Sequence, residues 1–587
     1  MIFYLSSMNK IRRRVTALCK KIYKLIFKRS ILSSQQKKFI ADIIQKYQNI
    51  NYEEKVGGEE SMAYYTRGLI SQLLESKTFN FMFSSYLKSF VYPSVLANIQ
   101  QAEAIQKNLL SYILSEVRYT AFAKKYALES LGQDVYADFV SKVPVFSYEE
   151  FKPWIEQAKT ERDVIRPGKI TKFSASAGTT SRKKHIPVSD EALESAAKAS
   201  LDMLSTYVIK HPDTKIFSGY YRPLVGTIQE QFADGSIVSD ISALMMLDRS
   251  GMLQKKYSFD LEILLEPHRY KKRDLFTKYL QPREKTIMMG VTSWIDEMLH
   301  HIQHTDRKKF QTFVKNLELI VRWGVDAKPY VKYFNELGIN HIGAYNASEG
   351  YFWYQDILHY PNHEAQAPYQ LLVNHGIFYE FIPFTAENFE GGQVKPDAQV
   401  KPLREISPKE IEQGTRFALV ITTNAGLFRY LLGDVITFVD KEYRFRIVGR
   451  TRECINLKGE ELMEDHVNIV LQDINRSYAA DFRHYTIGPD QEDLPTCHEW
   501  ILEGELPKDI DYSQLIQEID AGLQRVNADY EAKRKDDILL KMPIVQFVVP
   551  GTFHSWFKKH NKLWGQAKMP RLSHDRTTVK EILAFVE

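Results

Sequence analysis

The sequence predicts an α/β protein with a large N-terminal α/β domain over residues 91–449 and a smaller α+β domain over 450–587, preceded by a helical extension over 1–90. Three observations predict it. From about residue 166, short β-rich runs alternate with helix-periodic runs, the pattern of a sheet with crossover helices. A charged, glycine-bounded stretch at 449–453 then gives way to a new mixture of strands and helices. Finally, 587 residues are too many for one core, and two to four domains are expected.

The elements follow in chain order. Residues 1–30 hold nine Lys or Arg and no acid. Ile11, Val15, Leu18, Ile22 and Leu25 or Ile26 recur there at helical spacing. A basic amphipathic helix of this kind can lie peripherally on an anionic membrane surface. It can equally dock on its own protein, or precede a true start at Met8 or Met62. It lacks the uninterrupted apolar core and small-residue cleavage site of a secretory signal. No stretch of the chain approaches the roughly 20 apolar residues of a spanning helix. Residues 34–165 read as helical, with examples at 36–48, 62–74, 95–114 and 148–159. Strands are predicted at 215–217, 286–289, 317–323, 341–345 and 378–382, with helices at 192–208, 294–303 and 329–337 between them. The runs 417–423 and 435–439 read as an antiparallel pair, and 444–448 as a further strand. Beyond the joint, 512–527 reads as a helix and 544–549 as a strand.

Composition narrows the class. Hydrophobic residues make up 44% and charged residues 26%, as in a soluble globular protein. The 33 Tyr and 33 Phe favour mixed cores and pockets for rings or acyl chains. Cys19, Cys454 and Cys497 are far apart and match no zinc spacing, which points to a reducing, cytoplasmic compartment without a disulfide framework. The net charge of +5 comes from the tail: without its nine cations, 69 basic residues face 73 acidic ones. The body is mildly acidic, and nucleic acid is not an expected partner.

Chemistry concentrates in five segments. In 174–188, Ser-Ala-Ser-Ala-Gly-Thr-Thr-Ser-Arg-Lys-Lys-His-Ile-Pro-Val, small hydroxylated residues surround Gly178 and a basic cluster follows. Small side chains let the backbone close around a polyanion, and hydroxyls, amides and lysines then bind its oxygens. A Walker loop is absent. In Gly343-Ala344-Tyr345-Asn346-Ala347-Ser348-Glu349-Gly350, a strand delivers a ring that can stack a purine and a carboxylate that can ligate Mg²⁺. In Phe428-Arg429-Tyr430-Leu431-Leu432-Gly433-Asp434, a Gly turn presents Asp434, a carboxylate suited to vicinal ribose hydroxyls. The joint at 449–453 suits a hinge. In Trp564-Gly565-Gln566-Ala567-Lys568-Met569-Pro570-Arg571, a turn before Pro570 presents Lys568. Taken singly, each also reads as an ordinary turn, strand end or solvated lysine.

Their order carries the information. Phosphate loop, aromatic with Glu, Gly-Asp, hinge and terminal lysine resemble the acyl-adenylate-forming superfamily. More finely, the chain resembles the acyl-acid amido synthetases, the plant auxin-responsive-promoter proteins and their bacterial relatives. Gly290-Val291-Thr292-Ser293-Trp294 and Phe378-Tyr379-Glu380-Phe381-Ile382-Pro383 support this, and the resemblance covers roughly residues 95–587. It implies an adenylate-forming large domain with a C-terminal lid. It implies ATP and Mg²⁺ as cofactors, and a carboxylic acid and an amine, typically an amino acid, as substrates. Ser176, Gly178, Thr179 and Thr180 would grip the ATP phosphates. Tyr345 would lie beside adenine, Glu349 would hold magnesium, Asp434 the ribose, and Arg450 would sit near ribose or phosphates. Lys568 would reach the α-phosphate when the lid closes. Two positions depart from the family's pattern: Ala177 stands for a second serine and Ser181 for a glycine, removing one hydroxyl and stiffening the turn. The alternatives are a ligase of the same superfamily that passes the acyl group to coenzyme A or a carrier thiol, and a non-catalytic nucleotide-binding relative. No Gly-x-Ser-x-Gly nucleophile elbow occurs in the sequence.

Overall fold

The computed structural model describes residues 76–586, except 177–183, 249–255, 258–260, 281–285, 325–326, 361–366, 391, 452–453, 456, 459, 461, 493, 506–509, 536–538, 561–570 and 574. The basic tail and the helices predicted at 36–48 and 62–74 lie outside the described residues. Helices α1 (Lys77–Tyr86), α2 (Tyr92–Gln100) and α3 (Ala102–Val117) come first. The single helix expected over 95–114 is two, because Gln101 leaves helical geometry at φ −111° and ψ 20°. Helix α4 (Tyr148–Thr160) starts at a capping box in which the Ser147 amide and hydroxyl both donate to Glu150, at 2.7 Å each.

Two sheets follow. Strands β1 (Lys172–Ser176) and β2 (Lys184–Pro187) form an antiparallel hairpin that sets Ser176 opposite Lys184. Helix α5 (Asp190–Lys210) begins at Ser189, whose hydroxyl accepts from the Ala192 amide. Next come β3 (Tyr220–Leu224), β4 (Ile228–Gln231) and β5 (Ile237–Ser239); the first sheet has the order β2-β1-β5-β4. The strand expected at 215–217 is a turn, because Ile216 and Phe217 are drawn fully into the core, where Phe217 packs edge-on against Phe83 of α1 at 4.9 Å. The chain continues through β6 (Thr286–Val291), α6 (Thr292–Thr305), β7 (Leu317–Trp323), β8 (Asn340–Ala347), β9 (Gly350–Gln355), β10 (Tyr369–Leu371), β11 (Ile377–Pro383), the short hairpin β12 (Phe389–Glu390) and β13 (Gln393–Val394), β14 (Lys401–Pro402), β15 (Arg416–Thr423), β16 (Tyr430–Phe438) and β17 (Arg444–Arg450).

The larger sheet has eleven strands in the order β14-β11-β15-β16-β17-β10-β9-β8-β7-β6-β3. Its β3-β6-β7-β8 half is parallel, as the helix-punctuated sequence requires, and the remainder is antiparallel. Successive side chains of β8 divide between the two faces. Ala344 joins the core under α5 with Leu204 and Tyr207, while Tyr345 packs on the opposite core with Trp353 and Phe445.

Past β17 come β18 (Cys454–Ile455) and β19 (Leu462–Met463), then α7 (Glu464–Ser477), β20 (His484–Pro489), β21 (His498–Glu503), α8 (Tyr512–Val526), β22 (Ile544–Val548) and α9 (Thr577–Val586). The sheet β20-β21-β22 carries its own core of Trp500, Leu515, Ile519 and Leu523, all fully buried. No helix among the described residues is long and apolar enough to cross a membrane.

Candidate active site

The site grows from the two-residue turn between β8 and β9. Ala347 pairs with Gly350, so Ser348 and Glu349 form the hairpin tip. Two residues before Ala347, Tyr345 pairs across the strands with Trp353, and their rings stack at 4.5 Å with a 25° tilt. Trp353 is fully buried, so this contact fixes the tyrosine ring against the sheet. The Tyr345 hydroxyl donates to Asp434 Oδ2. Burial first, and the Asp434 charge second, hold the Tyr345 pKa well above its ordinary value, so it acts as a donor and not a phenolate.

Asp434 reaches this point through a backbone irregularity. The sequence predicts a Gly turn here; the structure shows one continuous strand, β16, with a bulge. Val435 pairs with Ala418 and Leu431 with Val420, so three residues on β16 oppose a single residue on β15. Gly433 takes φ 91°, a conformation that suits glycine and disfavours other residues. The bulge turns Asp434 into the site, where it is 3% exposed. Its register partner on β17 is Arg450, whose Nε donates to Asp434 Oδ1 at 3.0 Å.

Glu349 sits beside this pair. The Tyr430 hydroxyl donates to Glu349 Oε1 at 3.4 Å. Desolvation raises the Glu349 pKa above the ordinary carboxylate value; Lys184 and Arg450 oppose that shift, and Asp434 adds to it. Lys184 belongs to β2 and lies 5.2 Å over the Tyr148 ring, while the Tyr148 hydroxyl accepts from the His185 amide at 3.0 Å. Thus α4 braces the stem of the β1–β2 hairpin next to Glu349.

The structure therefore gathers Tyr345, Glu349, Asp434 and Arg450 into one place. Ser176 is the last residue of β1, opposite Lys184. Gly178, Thr179, Thr180 and Lys568 lie outside the described residues. Three participants were not singled out from sequence as site residues: Tyr430, Lys184 and Tyr148. Tyr430 stands inside the Gly-Asp segment and Lys184 inside the basic cluster, so their positions were visible but their roles were not. Trp353, the ring behind Tyr345, had no sequence signal beyond its apolar strand.

Glu380, on β11, does not reach this cluster. It is fully buried and paired with Arg429, whose Nε donates to both carboxylate oxygens at 3.2 Å. Tyr136 donates to Glu380 at 3.2 Å, and Arg429 Nη1 donates to the Val143 carbonyl at 2.6 Å. Arg429 immediately precedes Tyr430 and has a left-handed backbone, φ 41°. The pair fixes the point from which β16 departs toward the site.

An apolar cavity of about 150 Å³ lies on the other face of β8. Ala344 and Asn346, the neighbours of Tyr345, form part of its wall. It sits against the parallel strands β3, β6, β7 and β8, roofed by α5 and α1. Among the described residues, no group of three or more His, Cys, Asp or Glu forms a metal cluster.

Comparison with known proteins agrees with this architecture. Models of the GH3 family match residues 94–276 as its N-terminal domain, 370–450 as its central domain and 463–577 as its C-terminal domain. The chain is 25% identical over 446 residues to the indole-3-acetic acid-amido synthetase GH3.17 of Arabidopsis thaliana, covering 63% of this chain and 72% of the relative. It is 22% identical over 528 residues to GH3.4 of the same plant, an indole-3-acetic acid-amido synthetase, covering 77% and 85%. The solved structure of the GH3.15 acyl acid amido synthetase superposes with a TM-score of 0.67 at 17% identity, covering 85% of this chain and 96% of that one, which shows a shared fold. With all three domain models matched in order along well over half its length, the chain belongs to the GH3 family.

Proposed function

We propose that this protein is an ATP-dependent ligase that adenylates a carboxylic acid and transfers the acyl group to an amine, typically an amino acid, releasing AMP and pyrophosphate. The convergence of Tyr345, Asp434 and Arg450 from three strands and of Glu349 from the β8–β9 turn carries the reading, because these groups match the parts of ATP in type and order. The relatives act as indole-3-acetic acid-amido synthetases, which is the same reaction class.

The chemistry follows from the carboxylate's inertness. An anion is a poor electrophile, and oxide is a poor leaving group. A carboxylate oxygen attacks the α-phosphorus, the bond to pyrophosphate breaks, and a mixed anhydride forms. The neutral amine nitrogen then attacks the acyl carbon, AMP leaves with the electron pair, and the surplus proton of the nitrogen passes to solvent. No enzyme nucleophile is needed. Asp434 accepts from the ribose hydroxyls, exchanging the Tyr345 hydroxyl it holds in the free protein. Tyr345 offers its ring to adenine, with Trp353 behind it. Ser176, Gly178, Thr179 and Thr180 donate to the phosphates, and Lys184 adds charge at the base of that loop. Arg450 stays on Asp434 and faces ribose or phosphate. Glu349 fits Mg²⁺, which needs only one or two protein carboxylates when substrate phosphates complete its shell; bound there, the ion would neutralise charge developing on the phosphates. Lys568, on the C-terminal lid, supplies the cation at the α-phosphate, and rotation about residues 449–453 separates the two half-reactions. The apolar cavity behind β8 holds the acyl group, at the carboxyl ends of parallel strands where open α/β sheets bind ligands.

ATP–pyrophosphate exchange across a panel of carboxylic acids tests this reading. Acid-dependent exchange supports it, and amino acids should then yield AMP and an amide. Release to coenzyme A but not to amino acids would move the protein to the thioester-forming branch. Binding of ATP without exchange for any acid would make it a non-catalytic relative.

A further inference from the structure

The cavity behind β8 has a definite size and wall. Its volume is about 150 Å³. Met203 on α5, Met246, Met289 on β6, Trp323 on β7 and Tyr351 on β9 give it an apolar, partly aromatic surface. A dry apolar cavity of about this volume takes a benzene-sized guest. Lys256 is the single charged residue among the described lining residues, and its ammonium lies 5.8 Å over the Tyr220 ring. The remaining wall gives a second charge on the substrate no counterion.

We infer that the acid this protein activates carries an uncharged acyl group of about one six-membered ring or a six-carbon chain, such as phenylacetate or hexanoate, and that the bicyclic indole-3-acetate is a poor substrate. The inference rests on the amido synthetase reading and narrows it. A fused second ring makes the acyl group larger than the benzene-sized guest that such a volume takes. One surplus methylene in a close-fitting pocket changes specificity by about 10- to 200-fold, and an added ring is larger than a methylene. A ω-carboxylate, as in adipate, has to leave water for the same wall.

The test compares kcat/KM in ATP–pyrophosphate exchange for phenylacetate, hexanoate, indole-3-acetate and adipate with the full chain. Phenylacetate or hexanoate should exceed indole-3-acetate by about tenfold or more, and adipate by more than that. Met289→Ala, with Leu204→Ala as the second variant should the first fail to fold, should raise the ratio of indole-3-acetate to phenylacetate, because each enlarges the cavity. Equal or better use of indole-3-acetate by the unaltered protein would overturn the inference while leaving the ligase reading intact. So would adipate outperforming hexanoate, which would instead make Lys256 a receptor for a second carboxylate. Ligand-observed NMR of phenylacetate and indole-3-acetate supplies a readout independent of turnover. Stronger binding of phenylacetate without exchange for any acid would leave the cavity a size-selective acid site but remove the ligase reading, and with it the inference about an activated acid. Failure of phenylacetate and hexanoate to bind or to exchange would remove the inference.

Discussion

Replacing Glu380 with Ala should destabilise the protein and weaken the proposed nucleotide site together, although Glu380 is outside that site. Arg429 is 5% exposed and Glu380 is fully buried. Three of their contacts run from 3.1 to 3.2 Å. Removing one partner of such a pair strands the other charge away from water, at a cost of about 3–5 kcal/mol. At roughly 2–4 °C per kcal/mol for a large domain, the melting temperature should fall by about 6–20 °C. The second effect is positional. The left-handed Arg429 backbone is held by its amide on Thr422 Oγ1 at 3.0 Å, by the Phe146 amide on its carbonyl at 2.9 Å and by its side chain. Once the side chain is released, Tyr430 and the bulge at Gly433 lose their fixed origin, and the KM for ATP should rise. Glu380→Leu combined with Arg429→Met removes both charges and should recover most of the stability. The double variant still lacks the tether to the Val143 carbonyl, so its KM for ATP should stay raised. Differential scanning calorimetry and steady-state exchange kinetics read the two effects separately. A loss under 2 °C in Glu380→Ala, or a double variant no more stable than the single one, would refute the reasoning.

Four further outcomes are expected. Lys568→Ala should slow adenylation by about 100- to 1,000-fold, as loss of a transition-state donor does; unchanged turnover would remove it from the reaction. Asp434→Ala should weaken ATP binding by about tenfold or more, the worth of a hydrogen bond to a charged group, and calorimetry that finds the wild-type Kd would cancel the ribose assignment. Glu349→Gln should shift the Mg²⁺ titration of exchange to higher concentration, and a titration identical to that of the parent would remove Glu349 from the metal site. His466 is buried with Arg416 Nη2 at 2.6 Å from its Nε2, and burial followed by the Arg416 charge lowers its pKa from 6.5 to about 3. The unfolded chain therefore binds the extra proton between those values, stability falls as pH drops below 6.5, and about 2 kcal/mol should be lost between pH 6.5 and 5. Arg416 also faces Asp465 at 3.7 Å, so His466→Gln, which removes the His466 titration alone, should flatten that slope in urea titrations.

The sequence makes some parts of this site legible and hides others for a physical reason. Tyr345 and Glu349 were readable because a strand followed by a short turn dictates their separation. Asp434 was readable as a residue type but not as a geometry. A Gly-Asp pair predicts a turn, and only the pairing of β15 with β16 reveals that the chain runs on and bulges. Glu380 was visible in a motif, yet its role depends on Arg429, 49 residues away in sequence. Long-range pairing of that kind leaves no local period. The same holds for Lys184, which is one of three adjacent cations until the β1–β2 register turns it toward Glu349. The helix expected over 95–114 failed in a simpler way, because two consecutive helices with compatible periodicity read as one until a single non-helical residue separates them.

Under the proposed function, the division of the large sheet would let one strand serve two ligands of opposite character. On β8, Ala344 and Asn346 face an apolar cavity, while Tyr345 faces Asp434 and Arg450. The pleat alone separates them, by one residue. In the proposed reaction an oily acyl group and a polyanionic nucleotide must meet at two atoms and be kept apart elsewhere. A strand with one face turned to each achieves this without a dedicated partition. It also places the meeting point at the strand's end, where the alternation stops and Ser348 and Glu349 turn the chain. A change in residue number between Tyr345 and Glu349 would be more damaging than any single substitution there. Deleting Ala347 would move Glu349 one step along the hairpin and send it to the other face. Restoring the length with a residue of any small type should restore metal-dependent exchange, whereas a purely chemical role for Ala347 would require alanine itself.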